Sequence, residues 1–130
     1  MTPSIIEGWE LDTIQEDLLY RYEKTIGQNV LTIDINVTKS PQDLRGHIED
    51  PQKLENSIAI IYDQAYQRWG SIVHVHGTHG KLSSMQKPGP RIDQNFDTVA
   101  DLAEFLVKLA NEINRTSWEN VKNRAVLTFT

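Results

Sequence analysis

Apolar residues recur at two different spacings along the chain, and these spacings predict where helices and strands lie. Near the N-terminus the spacing is three and four residues, as on one face of an α-helix: Leu11, Ile14, Leu18, Tyr22 and Ile26. This pattern predicts a helix over residues 13–26, with a capping box formed by Thr13 and Glu16. Gly27 follows where a helix favours a left-handed residue at its end.

A second amphipathic segment predicts a longer helix near the C-terminus. Its apolar positions again follow the helical spacing: Val99, Leu102, Ala103, Leu106, Leu109, Ala110 and Ile113. Asp97 or Thr98 is the expected N-cap. Phe105 and Val107 widen the apolar surface beyond one stripe, which indicates contact with a second partner.

Alternating apolar residues predict strands in the remainder of the chain. The alternation is clear over residues 30–37, and two further apolar runs cover residues 57–63 and 70–77. The short connection between these two runs predicts a hairpin. A symmetric register would place Ile61 opposite Ile72 and Ala59 opposite His74. A last strand is expected over residues 124–130.

Two polar stretches, residues 38–56 and 77–95, read as long loops, and two short helical turns are expected in the first. The predicted order is therefore α-β-β-β-α-β. We expect one α/β (α+β) domain over residues 1–130, with a leader over residues 1–12. Its two layers would be a mostly antiparallel sheet of about four strands and two main helices.

Composition narrows the function classes. The 130 residues include no cysteine, which excludes disulfides, thiolate zinc sites and cysteine nucleophiles. No apolar run of 18 residues is present, and the N-terminus lacks the pattern of a secretion signal. We therefore expect an intracellular protein that does not engage a membrane. The net charge of −5 argues against nucleic acid as a specific ligand.

The net charge is the sum of two unlike halves. Residues 1–65 carry 12 acidic and 5 basic side chains, whereas residues 66–130 carry 6 acidic and 8 basic side chains. No acidic residue lies between Gln64 and Ile92. An acidic half and a basic segment favour head-to-tail contacts between copies of the chain. The alternative is that the charge of the long polar loops has no function and that its uneven distribution arose by chance.

The candidate interface residues combine the cations of this basic stretch with large aromatic side chains at the ends of predicted elements. Aromatic and arginine side chains are the usual anchors of protein interfaces. The candidates are Arg68, Trp69, Lys81, Lys87, Arg91, Phe105 and Trp118.

A histidine cluster offers an alternative chemistry. His74 and His76 are two residues apart on a predicted strand and therefore face the same side, and His79 follows in the loop. Three neutral imidazoles suit zinc or another divalent metal that activates water. Such a site would need His47, Asp34 or Asp63 brought close by the fold. The other interpretation is a pair of surface histidines on the exposed face of a hairpin.

Catalytic motifs are otherwise missing. The sequence has no nucleophile elbow, and Gly77 to Ser83 departs from the spacing of a phosphate-binding P-loop. We therefore expect a protein that is not an enzyme and that needs no cofactor.

The predicted element order, the chain length and the long loops resemble the tail-terminator or tail-completion proteins of long-tailed phages. That family packs a small sheet against helices and assembles into a ring, commonly a hexamer, which caps the tail tube and joins it to the head. The resemblance implies a structural subunit of a virion that contacts copies of itself and other assembly proteins.

Three functional hypotheses follow. The first is a non-enzymatic subunit that self-associates head-to-tail in a larger assembly. The second is a small metal-binding enzyme or module built on His74, His76 and His79. The third is a binding module of the immunity or antitoxin type, with one tightly bound partner protein.

Overall fold

A computed structural model describes residues 4–14, 18–36, 43–76 and 84–129. Within these ranges seven strands form one antiparallel sheet, and each strand pairs with the next strand along the chain. The strands are β1 (Glu10–Ile14), β2 (Leu19–Ile26), β3 (Asn29–Asn36), β4 (Arg45–Asp50), β5 (Lys53–Asp63), β6 (Arg68–His76) and β7 (Ser84–Pro88).

Four further elements follow the sheet. They are β8 (Arg91–Ile92), the helix α1 (Val99–Arg115), the short helix α2 (Trp118–Lys122) and β9 (Val126–Leu127). Strands β8 and β9 pair in parallel and form a second, two-stranded sheet. No helix in the described ranges is long and apolar enough to cross a membrane.

The predicted arrangement of four strands against two main helices is wrong. The structure is mostly antiparallel sheet, with seven strands in one sheet, a small second sheet, one long helix and one short helix. Eight strands precede the first helix in the described chain, so the order α-β-β-β-α-β is not found.

The largest error is the predicted helix over residues 13–26, where the structure has the hairpin of β1 and β2. Alternate residues of β2, such as Tyr20 and Tyr22, share one face, so the same apolar positions also fit a strand. Tyr22 pairs across the sheet with Ile33 and is buried, and this long-range pairing overrides the local helical spacing. Gly27 has the expected positive φ of 61°, but it begins a two-residue hairpin turn.

The two predicted long loops are also largely strand where they are described. In residues 38–56, β4 and the start of β5 meet at a turn in which the Asp50 carboxylate accepts a hydrogen bond from the Gln52 amide, 3.0 Å. Asp50 therefore closes a turn and caps no helix. Strands β7 and β8 lie in the second stretch, whereas residues 37–42 and 77–83 lie outside the described ranges.

Other local predictions are confirmed. The strand predicted over residues 30–37 is β3, and the predicted hairpin is formed by β5 and β6. Its register differs by two residues, with Ala59 opposite Ile72 and Ile61 opposite Gly70. An even shift leaves every side chain on its predicted face of the sheet. The predicted last strand is reduced to β9.

Helix α1 matches its prediction closely and forms the second layer of the core. Thr98 is the N-cap, and its hydroxyl accepts a hydrogen bond from the Asp101 amide, 3.1 Å. The helix packs on β3 and β4, where Gly46 leaves room for Leu102 and Leu106. A row of aromatic rings in edge or tilted contact continues the core from the sheet to the C-terminal segment: Tyr62, Trp69, Phe96, Phe105 and Phe129.

Candidate functional site

The face of the sheet that points away from α1 carries the candidate site. On the helix side, residues such as Ile33, Ile48 and Ile60 are fully buried. Their neighbours along each strand point to the opposite face, which we call the open face. Several of these side chains, among them Thr32 and Ile61, are only half-buried.

A cleft of about 410 Å³ crosses the open face from β3 to β7. This volume lies within the range of small-molecule sites. Its apolar lining comes from the centre of the sheet: Ala59, Ile61 and Ile72. Polar and aromatic side chains complete it: Thr32, Asp34, Asp43, Arg45, His47, Tyr62, Gln64 and Gln86.

The charged side chains of the cleft are not equivalent. Arg21 on β2 binds the Asp34 carboxylate through two nitrogens, at 2.8 and 3.0 Å, and this hydrogen bonding raises the pKa of Arg21. Arg45 lies opposite Asp34 on the other neighbouring strand. It is exposed and forms no ion pair with any residue that the structure describes. As far as the described residues go, Arg45 is available to bind an anion.

His47 and Ser57 form a polar pair beside the cleft. The His47 Nε2 atom lies 2.7 Å from the Ser57 hydroxyl oxygen. Burial lowers the pKa of His47 and outweighs the opposing charge of Glu49, and His74 and Arg21 lower the pKa further. The imidazole is therefore neutral at pH 7.

A histidine within hydrogen-bond distance of a serine is also the geometry of a base beside a nucleophile. Ser57, however, is only 4% exposed and does not line the cleft. Among the described residues, no carboxylate hydrogen-bonds to His47 to orient its ring. The pair therefore fits a structural role, in which each side chain satisfies the other away from water.

A second cleft of about 380 Å³ adjoins the first on the open face. The two clefts share Ile61, Ile72 and Gln86, and the second continues to Lys87 and Pro88 on β7. Together they form a groove that reaches the edge of the sheet. Lys87 itself pairs with the buried Val73, so its side chain points to the α1 side of the sheet, whereas Gln86 and Pro88 share the open face with His74 and Ile72.

The predicted interface residues lie in different parts of the molecule. Trp69 and Phe105 are each 3% exposed and stabilise the core through the aromatic row. Trp118 is half-buried and donates a hydrogen bond from Nε1 to the Asn29 side-chain oxygen, 3.1 Å. Their positions indicate packing within the chain.

The cations of that set are at the surface where they are described. Arg68 lies over the Tyr66 ring, 5.0 Å from its centroid, and Arg91 binds Asp93 at 2.7 Å. Lys87 lines the second cleft, and Lys81 lies outside the described residues. A role for these cations in an interface stays a prediction.

The histidine cluster is only partly described. His74 is half-buried on the open face of β6, whereas the side chain of His76 and all of His79 lie outside the described part. No group of three histidine or acidic side chains within that part could hold a metal. Asp34 is bound by Arg21, and the Asp63 carboxylate accepts the amide of Ala65 at 2.9 Å. The metal site stays a prediction.

The sequence did not point to Arg45, His47 or Gln86 as neighbours in one site. Strand β4 lies in a polar stretch, and Ile48 is its one large apolar residue. The alternation of exposed and buried positions in β4 therefore gave too weak a signal for a strand.

Comparisons with family models, with curated proteins and with solved structures gave no match. The resemblance to phage tail-terminator proteins was based on an element order that the structure does not have. The assembly role that it implies stays a prediction.

Proposed function

We propose that this protein is a binding module that holds a carboxylate-bearing ligand in the cleft of the open face. The observation that carries the proposal is the exposed Arg45, which has no ion-pair partner among the described residues and lies beside the apolar centre formed by Ala59, Ile61 and Ile72. A concave site with an apolar floor and a few polar groups is the usual form of a ligand site.

The side chains around Arg45 favour a carboxylate. A guanidinium presents paired N–H donors that match the two oxygens of a carboxylate. Asp34 is held by Arg21 and competes less for Arg45. Gln64 and Gln86 add neutral amide groups to the lining, and the apolar centre suits the hydrocarbon part of a ligand.

Ligand-detected NMR with a library of small organic carboxylates tests this function. Each acid is compared with the primary amide of the same skeleton, which keeps the shape and removes the charge. We expect the acids to bind and the amides to bind at least several-fold more weakly. Arg45→Gln should abolish the preference, whereas Arg115→Gln on the exposed side of α1 should preserve it. Equal binding of acids and amides would refute the proposal.

Head-to-tail self-association is a second candidate function, favoured by the distribution of charge. Because the strands follow chain order across the sheet, the acidic first half supplies β1 to β5 and the acid-free stretch supplies β6 and β7. The two edges of the sheet thus differ in charge, which suits contacts between unlike surfaces of two copies.

Native mass spectrometry at low and high salt tests self-association. We expect oligomers at low salt that dissociate as salt screens the charges. A strict monomer in both conditions, at high protein concentration, would count decisively against this candidate.

A further inference from the structure

We propose that the ligand of the cleft is a free α-amino acid with an apolar side chain, whose carboxylate binds Arg45 and whose ammonium group binds Asp43. This inference rests on the proposed function and assigns the ligand class of the same site. It also gives a role to an acidic side chain in the lining of a cleft that binds carboxylates.

Among the described residues, three aspartates line the groove, and two of them are engaged by the protein itself. Arg21 binds the Asp34 carboxylate at 2.8 and 3.0 Å. The Asp63 carboxylate accepts two amides of its own turn, at 2.9 and 3.3 Å. Asp43 is half-buried and forms no hydrogen bond or ion pair with another described residue. Its carboxylate therefore presents acceptors to a cationic donor on a ligand.

Asp43 and Arg45 lie close together, yet these two described side chains form no ion pair with each other. The buried Leu44 is the one residue between them, so their Cα atoms are at most about 7 Å apart. Opposite charges at this spacing suit a ligand that carries an ammonium group and a carboxylate on one carbon atom. Such a ligand forms a charge-assisted contact with each side chain at once.

An apolar surface lies next to this pair of charges. The register of β4 and β5 places Arg45 beside Ile61 on the open face. Ile61 pairs with Gly70, where an added Cβ atom would meet no atom within 4 Å. Ile61, Gly70 and Ile72 also line the second cleft, so apolar side chains border this open space. The apolar side chain of an amino acid bound at Arg45 extends across Ile61 into it.

The spacing of the two charges favours a free amino acid over a peptide. The ammonium and carboxylate groups of a peptide lie at opposite ends of the chain, and each added residue separates them by up to about 3.3 Å or slightly more. A free amino acid is neutral overall, so its binding adds no net charge to a protein that already carries −5.

NMR titration with leucine and with analogues that lack one feature each tests the inference. Isocaproate has the same carbon skeleton without the amino group, leucinamide lacks the carboxylate, and glycylleucine moves the two charges apart. We expect leucine to bind about tenfold more tightly than each analogue, since one charge-assisted contact is worth about a factor of ten.

Substitution of Asp43 assigns the ammonium site. Asp43→Asn keeps the shape of the side chain and should remove the preference for leucine over isocaproate without weakening the binding of isocaproate. Retained binding of isocaproate also shows that the variant is folded. Asp63→Asn removes another charge from the same face and keeps an oxygen that can accept the turn amides, so it should preserve the preference for leucine.

The ligand series separates this inference from the proposed function. If isocaproate or glycylleucine binds as tightly as leucine, the inference is wrong and the proposed function stands. The same holds if Asp43→Asn retains the full preference for leucine, or if Asp63→Asn removes it to the same degree. If leucinamide binds as tightly as leucine, or if no carboxylate binds, both are wrong.

Discussion

At the scale of single residues, the open face combines charged groups that bind one another with an arginine that has no ion-pair partner in the described chain. Arg21 and Asp34 neutralise each other, His47 is held neutral beside Ser57, and Arg45 lacks an ion-pair partner within the described chain. A carboxylate ligand binds more favourably to an unpaired arginine than to one already bound to an acid, because no existing contact has to break.

Protonation of His47 should make stability depend on pH near neutrality. Its folded-state pKa is lowered from the ordinary value of 6.5, mainly by burial. The unfolded chain therefore takes up a proton more readily, and the stability present above pH 6.5 is lost as the pH falls through the folded-state pKa. Glu49, His74, Asp34 and Arg21 face the imidazole and shape this titration.

Urea unfolding between pH 7.5 and 5.5 checks this prediction. As the pH is lowered, we expect the free energy of unfolding of the wild-type protein to decrease more steeply than that of His47→Gln. Arg115→Gln, which does not titrate in this window, should keep the wild-type slope. Identical slopes for the wild type and His47→Gln would contradict a lowered pKa.

At the scale of elements, the sequence pattern predicted α1, β3 and the β5–β6 hairpin correctly, and it failed where only strand pairing decides between helix and strand. Helix α1 carries its own N-cap and a long apolar stripe, so its sequence alone defines it. Strand β2 has helical spacing as well as alternation, and only its pairing with β3 decides between them. The open-face site depends on β4, so it was missed for the same reason, although His74 on the same face was recognised as a candidate.

The N-cap of α1 is testable because the sequence left Asp97 and Thr98 as alternatives. In the structure the Thr98 hydroxyl accepts the Asp101 amide. Thr98→Ala should lower the free energy of unfolding by about 1 kcal/mol, whereas Asp97→Ala should change it by less than about 0.5 kcal/mol. Chemical denaturation of both variants measures the difference, and an equal loss would reassign the cap.

At the scale of the whole molecule, the sheet and α1 meet where β4 has no side chain. A Cβ atom at Gly46 would lie 3.2 Å from methyl groups of both Leu102 and Leu106, which are fully buried. The close approach of the helix therefore depends on this glycine. Gly70, on the open face, has no such neighbour within 4 Å.

This contrast gives a matched pair of substitutions. Gly46→Ala should destabilise the protein by about 1–3 kcal/mol, because the added methyl group crowds the buried Leu102 and Leu106 side chains, which must shift within a packed core. Gly70→Ala meets open space and should be close to neutral or slightly stabilising. Thermal or urea unfolding of the two variants provides the measurement, and a neutral Gly46→Ala would show that the two leucines can shift at little cost.

The parallel pairing of β8 with β9 has a consequence for the order of folding. Every strand of the large sheet pairs with its neighbour in sequence, and such pairings need only short loops to close. Arg91 instead pairs with Val126, across the whole of α1 and α2. Contacts between distant parts of a chain form late. In native-state hydrogen exchange, the amide of Arg91, which donates to the Ala125 carbonyl at 2.9 Å, should lose protection before those of β3 and β4.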